Sequence, residues 1–416
     1  MTETPHKEKF FTKPLAIIFV TVLIDLIGFG IVIPVLPYYV ESPEFAATPL
    51  QLGLIVASYS TMQFIFSPIL GGLSDRYGRR PVLFFSLIGT AIGFFVVGFA
   101  WVLWMIFAGR ILDGITGGNI STAQAYIADV TTRENRAKGM GLIGAAFGLG
   151  FVLGPMLGGV LSRFGTHVPF IFAGALAVVN AIALYLFLPE SLPKEKRSQH
   201  PERGSRFSQI AASLRNAKFR TLTILNFLIV TAFSIMTTSF ALYTMERFGY
   251  DAEQNGWLFF YIGILAVLIQ GGIFGRLAHA LGEATLVVIG SLMLAASLFA
   301  VPYVGPEFGG LAGLLTGMAF FAVGNSLSSP AIQSLASKAA GEHEQGKALG
   351  VMQSGASLAR AVGPFIAGFL LNTAAGTVSD HSLRVTFWTA AVIMFAAFIG
   401  ALLFARSAPE AEAAAA

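Results

Sequence analysis

The chain has 416 residues, 55% of them hydrophobic and only 12% charged, with a mean hydropathy of +0.73. A soluble domain is about 25% charged, so the composition excludes an ordinary soluble enzyme and asks for a protein surrounded by lipid. A net charge of +4 and a pI near 9.3 raise nucleic acid as a partner, but the placement of the basic residues assigns them to membrane topology instead.

After the polar start MTETPHKEKFFTK, apolar stretches of bilayer-spanning length recur along nearly the whole chain. They are expected at 14–38, 50–72, 81–99, 102–127, 139–162 and 167–188, then at 218–246, 254–276, 284–303, 308–337, 345–372 and 383–405. The expectation is an all-α membrane protein with twelve transmembrane helices. The first stretch outruns a signal-peptide core and lacks a small-residue cleavage pattern, so it is expected to be retained. Of the Lys and Arg residues, 21 fall in the tails and alternate loops on the N-terminal side, against three (Arg163, Arg247, Arg384) on the other. That asymmetry predicts cytoplasmic termini. Cysteine is absent, which removes disulfides and thiolate chemistry.

The two remaining basic residues, Arg110 and Arg360, lie inside spans, as do Asp25 and Asp113. The fourth span reads GRILDGITGGNIS from 109, with Arg110 and Asp113 on one helix face and two adjacent glycines behind them. Asp25 is about twelve residues into its span, Arg110 and Asp113 about nine and twelve, and Arg360 about fifteen; at 1.5 Å per residue all four fall near the bilayer centre. A charge there costs roughly 2.5–3.5 kcal/mol even on the permissive insertion scale, so each should face a partner or a wet cavity. A carboxylate that is alternately buried and approached by an arginine can bind and release a proton. Asp25 and Asp113 are therefore the proton-coupling candidates, with Arg110 tuning them; a static Arg110–Asp113 pair that only locks its helix is the alternative. No histidine helps, since all six read as loops or helix ends. Gln63, Asn119, Gln124, Asn325, Gln333, Gln353 and Arg360 are the candidate cavity residues, though such groups also bond between helices. A few of the 38 Phe facing that cavity would suit a lipophilic substrate, cations included.

Between the sixth and seventh spans lies PESLPKEKRSQHPERGSRFSQIAASLRNAKFR, a long polar loop. It divides a six-helix unit at 1–188 from another at 218–416, with 189–217 as a cytoplasmic linker. Phe207, Ile210 and Leu214 sit at helical spacing beside Arg206, Arg215 and Lys218, which suits a helix on the membrane surface; a solvated linker is equally open. The halves repeat one another. GLIGAAFGLGFVLGPMLGG from Gly141 matches GVMQSGASLARAVGPFIAG from Gly350, and GNIST at 118 is echoed by GNSLS at 324. GGLSDRYGRRPVL has a degraded echo in GRLAHALGEATLV, with Gly71 and Gly78 answered by Gly275 and Gly282. A duplicated six-helix unit implies transport by rocking about a midplane site.

Gly71, Leu73, Asp75, Arg76, Gly78, Arg79 and Arg80 match the G-x-L-x-D-R-x-G-R-R/K loop between helices 2 and 3 of the major facilitator superfamily. With the spans and the duplication, the chain resembles that superfamily over almost its full length, which implies two pseudo-symmetric six-helix bundles. In the family this loop is similar to a latch, its Asp and Arg pairing with neighbouring helix ends; Asp129 and Arg136 are the implied partners. The alternative is that these charges only set topology. Gly150, Gly154, Pro155, Gly158 and Gly159 resemble the G-x-x-x-G-P-x-x-G-G motif of proton-driven exporters, GRILDGITGG resembles their helix 4, and DLIGFGIVIPVLP resembles the tetracycline/proton antiporters. Those pumps carry a carboxylate in helix 3, a His in helix 8 and an Asp in helix 9, where this chain has Gly93, Ala266 and Leu294, so tetracycline itself is in question.

The resemblance implies proton-coupled efflux, by antiport, of a small lipophilic compound such as a drug. The partners are then the substrate, protons and the bilayer, with no cofactor, no metal and no nucleic acid, in a monomer of the bacterial inner membrane. Export of a lipid or sugar, and uptake by symport, stay open. A membrane enzyme using Asp25 and Asp113 as acid and base finds no metal-ligand spacing or nucleophile motif to support it. GEHEQGK at 341–347 fits a phosphate-loop pattern, but Ala348 replaces the Mg²⁺-binding hydroxyl and no strand precedes it.

Overall fold

The computed structural model describes residues 12–132, 135–197, 215–339, 345–373 and 376–413. Most of the expected surface helix near 207–218 lies outside them, as does the side chain of Arg136. The helices are α1 (Lys13–Val40), α2 (Pro49–Tyr77), α3 (Arg79–Gly98), α4 (Leu103–Thr116), α5 (Asn119–Val130), α6 (Arg136–Ser162), α7 (Val168–Phe187) and the short α8 (Lys194–Arg197). Then come α9 (Ala217–Phe248), α10 (Ala252–Leu268), α11 (Phe274–Leu281), α12 (Glu283–Ala300), α13 (Gly310–Ala339), α14 (Gln345–Leu371) and α15 (Asp380–Ala413). A π-helical turn, Ile269–Ile273, joins α10 to α11 as one span. The described residues contain no strand, and eleven helices are long and apolar enough to cross a membrane.

The expected span at 102–127 is not one helix. It breaks at Gly117–Gly118 into α4 and α5. Two consecutive glycines weaken a helix by about 1 kcal/mol each relative to alanine, and neither position tolerates a side chain. A Cβ at Gly117 would stand 2.8 Å from the Asp113 carbonyl oxygen, and one at Gly118 would stand 2.8 Å from Ser67 Cα. In lipid the freed backbone groups need new partners. Gln63 Nε2 donates to the Gly117 carbonyl at 3.0 Å and Ser121 Oγ to the Gly118 carbonyl at 2.9 Å. Across the break the chain keeps following α2: Gly114 lies on Tyr59 and Met62, Gly118 on Ser67 and Leu70. The two short helices thus make one pass.

The duplication is visible in the packing. Thr48–Gln51 and Asp251–Gln254 form reciprocal capping boxes at the starts of α2 and α10. Gly78 and Gly282, both at positive φ, start α3 and α12. The hydroxyl of Tyr39 in α1 donates to the Val97 carbonyl, and that of Tyr243 in α9 donates to the Val301 carbonyl, each at 2.9 Å. All these pairs stand at the repeat spacing.

Two seams join the helices before residue 188 to those after 217: α2 packs on α14, and α6 on α10. Call the side carrying Lys13 and Ala413 the near side. At the far side the seams are closed to backbone distance. A Cβ at Gly53 would meet the Pro364 carbonyl oxygen at 2.4 Å, and one at Gly256 would meet that of Pro155 at 2.6 Å. Gly368 faces Gly53, and Gly159 faces Gly256. Arg163 and Glu253 pair across this side, and Tyr38 Oη accepts from Asn255 and donates to the Tyr250 carbonyl at 2.9 Å. On the near side the same helices separate: a Cβ at Gly141, Gly144, Gly148, Gly271, Gly272 or Gly275 would find no neighbour within 4 Å. The molecule is sealed at the far side and open at the near side.

Three of the exporter-like glycines, Gly150, Gly154 and Gly158, lie on a different seam, within the first half. A Cβ would meet Leu26 from Gly150, Gly30 from Gly154 and Ile31 from Gly158, each at 2.7 Å or less, so α6 lies directly on α1. Small residues allow this approach where no hydrophobic effect drives helices together.

Candidate functional site

Arg110 and Asp113 lie at the end of α4, just before the break, and form an ion pair with Nη1 and Oδ2 2.5 Å apart. Their side chains are 3% and 6% exposed, so the pair is effectively removed from solvent. The Arg110 guanidinium also lies over the ring of Tyr59, 4.2 Å from its centroid, a contact worth about 2 kcal/mol when desolvated. Gln63 Nε2, which caps the break, also donates to Tyr59 Oη at 3.1 Å. Tyr59 therefore ties the ion pair to the helix break.

Asp25 approaches from α1. Asn119, the first residue of α5, stands beside its carboxyl group, and Asp113 is its charged neighbour. Thr90 of α3 reaches Asp113 and lies 3.3 Å from the Thr116 hydroxyl. Asp25, Phe29, Tyr59, Thr90, Phe94, Asp113 and Gly117 line a cavity of about 10 Å³, room for about one water. Two carboxylates thus meet around a single water-sized space at the interruption of a helix, and a guanidinium is paired to one of them. Gly93 faces the same group: a Cβ there would be 3.0 Å from Asp113 Cβ, so a carboxylate in that place of α3 would collide with Asp113.

Of the other cavity candidates, Gln63 and Asn119 are buried at this site. Gln124, Asn325 and Gln353 are partly buried, and Gln333 is exposed near the near-side end of α13. Arg360, in α14, donates to Ser357 Oγ at 3.0 Å and lies within electrostatic reach of Tyr59.

At the near side, the α2–α3 loop residues gather within the first half. Arg79 bonds Asp75 at 2.6 Å, Asp129 at 3.1 Å and Ser74 Oγ at 2.7 Å. Arg80 donates to the Tyr185 carbonyl and stacks on that ring. Arg76 lies over Tyr77. A group outside the expected set completes the cluster: Glu190 accepts from the backbone N–H groups of Arg79 and Arg80 at 2.9 and 3.2 Å, capping α3. The second half repeats the bridge with its charges exchanged, since Glu283, at the start of α12, pairs with Lys338 of α13 at 2.8 Å. The Arg79–Asp129 bridge is made with the near side open, so it is not a contact reserved for closure of that side.

Sequence reasoning did not single out Tyr59, Thr90 or Glu190. Tyr59 carried one signal, its position one turn before Gln63 in an apolar span; Glu190 stood in the PES that follows the sixth span.

A family model described as the Major Facilitator Superfamily matches residues 18–364 and 273–416. The chain is 31% identical over 396 residues to the class H tetracycline resistance protein of Pasteurella multocida, covering 94% of both. It is 34% identical over 376 residues to the class C tetracycline resistance protein of Escherichia coli, covering 87% of this chain and 91% of that one. The crystal structure of the human organic anion transporter MFSD10 (TETRAN) is similar at a TM-score of 0.70 and 27% identity, over 94% of this chain and 99% of that one. The nucleoside transporter NupG shares the fold at a TM-score of 0.74 and 12% identity, over 94% and 99% of the two chains.

Proposed function

Because the chain belongs to the Major Facilitator Superfamily and is a multi-pass membrane transporter, we propose that it exports a small lipophilic compound in exchange for protons. The relatives named for tetracycline resistance, and a Bacillus subtilis relative named for multidrug resistance at 29% identity, support export as the direction. The near side is then the cytoplasm, in keeping with the 21 basic residues of the tails and loops on that side. The membrane is the bacterial inner membrane, and a monomer suffices, because one chain holds both seams and the site.

One observation carries the proton coupling: Asp25 and Asp113 share a single water-sized cavity beside Arg110, at the break in the fourth pass. In the mechanism, a proton received from outside neutralises one carboxylate while the far side is open. Rocking of residues 1–188 against 218–416, linked by 189–217, closes the far-side α2–α14 and α6–α10 seams and opens the near side toward the cytoplasm. Substrate entering there displaces the proton, and the reverse rocking carries substrate out. The Arg79–Asp75–Asp129 cluster holds the near-side ends of α2, α3 and α5 together through the cycle.

In inverted membrane vesicles, acidifying the lumen should drive substrate inward, and that uptake should alkalinise the lumen. Substrate accumulation that survives collapse of the pH gradient overturns the antiport reading.

A further inference from the structure

A row of aromatic rings crosses from one half of the molecule to the other just beneath the far-side seal. Tyr59 of α2 meets Phe29 of α1 at 5.7 Å between centroids, and Phe29 meets Phe151 of α6 at 6.0 Å. Phe151 meets Phe233 of α9 at 6.3 Å, and Phe233 stacks with Phe321 of α13 at 5.6 Å. Tyr59 and Phe321 at the ends are buried, while the three central rings keep part of their surface uncovered. Gly148, about one turn to the near side of Phe151, is where α6 has already left its neighbours. The central rings therefore lie at the closed end of the near-side opening.

Arg360 occupies the same depth. It precedes Pro364 by four residues, as Phe151 precedes Pro155, and the two prolines form the equivalent far-side seams. The duplicated framework thus presents an aromatic ring on α6 and a guanidinium on α14. Arg110 has its carboxylate, but Arg360 does not: its bond is to a neutral serine of its own helix, the titratable group beside it is the phenol of Tyr59, and no carboxylate bridges it among the described residues. A guanidinium near the bilayer centre without a counter-ion is costly. A ligand that brings the counter-ion is favoured there, and planar rings on either side favour a flat apolar body.

We propose that the transported compound is a planar aromatic anion, its ring system against Phe29, Phe151 and Phe233 and its acidic group (carboxylate, sulfonate or enolate) on Arg360. This deepens the transport reading above and rests on it. Cations are disfavoured at this site by the same guanidinium.

Equilibrium binding to the purified full chain in lipid nanodiscs, with no gradient, tests this. The probes are 2-naphthoate, 2-naphthamide and 2-naphthylmethylammonium, which share a ring and differ in charge. Naphthoate should bind at least about tenfold tighter than the amide, as expected for a hydrogen bond to a charged group, and the ammonium should bind no better than the amide. Arg360→Gln should abolish the preference for carboxylate and leave amide binding within about twofold, whereas Arg360→Lys should keep part of the preference. Phe151→Leu and Phe233→Leu should weaken naphthoate and amide alike. Equal binding of naphthoate and amide, a preference that survives Arg360→Gln, or no naphthoate binding overturns the proposal. Should Arg360→Gln not fold, the wild-type ranking decides alone, and an ammonium probe binding as tightly as the carboxylate is fatal. An intact ranking in a protein whose transport ignores the pH gradient would overturn the antiport reading only.

Discussion

At the residue scale, the Arg110–Asp113 pair is the most constrained feature of the molecule. Both side chains are almost completely enclosed, and Tyr59 and Thr90 close around them. Removing one member of a buried pair leaves the other charge unpaired, at a cost of about 3–5 kcal/mol. Arg110→Ala should therefore lower the yield of folded protein and its melting temperature in detergent. Asp113→Asn also strands Arg110, but it keeps the shape and a hydrogen-bond acceptor and leaves Asp25 in the same cavity, so it should fold with a smaller loss than Arg110→Ala and bind substrate yet lose gradient-driven accumulation. Asp25→Asn should do the same, because the amide has the shape of the carboxyl group it replaces beside Asn119. Full gradient-driven transport by both asparagine variants would return the pair to a purely structural role. The charges and their depth were legible in the sequence. Their common cavity was not, because Asp25 and Asp113 come from different helices and meet there only through tertiary packing.

At the element scale, glycine does two separate jobs. Gly117–Gly118 interrupt a pass and leave carbonyls that Gln63 and Ser121 take up. Gly53, Gly159, Gly256 and Gly368 let two seams close to backbone contact on the far side. Overpacking such a contact costs typically about 1–3 kcal/mol, and that cost applies only to the conformation in which the seam is closed. Gly53→Ala should therefore move the population away from the far-sealed state by roughly 5- to 150-fold. Gly148→Ala, in open space in this state, should leave the far-side seal unchanged. The chain lacks cysteine, so the labelling rate of a single cysteine at Thr166, on the far side, reports this directly. Equal rates in Gly53→Ala and wild type would mean the seam yields without strain. The repeat in the sequence signalled that matching seams exist. It did not signal that the fourth pass is broken, because a GG pair in an apolar run is compatible with a continuous helix at a modest cost in propensity.

At the scale of the whole molecule, the far-side seal carries a pH-sensitive element. Glu41 ends α1 on that side, outside the span, and its carboxyl is raised to about 7, first by burial and second by the Glu246 carboxylate of α9. A group whose folded pKa is raised stabilises the arrangement fully below its ordinary pKa of 4.5, and that contribution is lost as the pH rises through about 7. The sealed state should accordingly lose stability between pH 4.5 and about 7, and Glu41→Gln should flatten this part of the profile. Melting temperatures in detergent across that window test it, and parallel profiles for the two proteins would overturn it. Arg163 and Glu253 also bridge the halves here, but with the arginine 60% exposed their attraction is largely screened by water and salt.

Lipid as solvent made the sequence decisive for class: a chain with so few charges must form helices of bilayer length, and the bias of its basic residues supplies an expectation for their orientation. The internal repeat set the equivalence of the two halves, and the glycine and charge motifs resembled one family over almost the full chain, which the 31% identity across 396 residues bears out. Tertiary structure alone decided which side is shut, because every near-side and far-side glycine looks the same in one dimension. It also decided that Arg79 pairs inside its own half and that Glu283–Lys338 mirrors that pair with opposite charges. The physical reason is common to all of these. Local sequence sets the cost of a helix, a break or a buried charge, whereas the partner that offsets this cost arrives from a different helix, often from the other half of the chain.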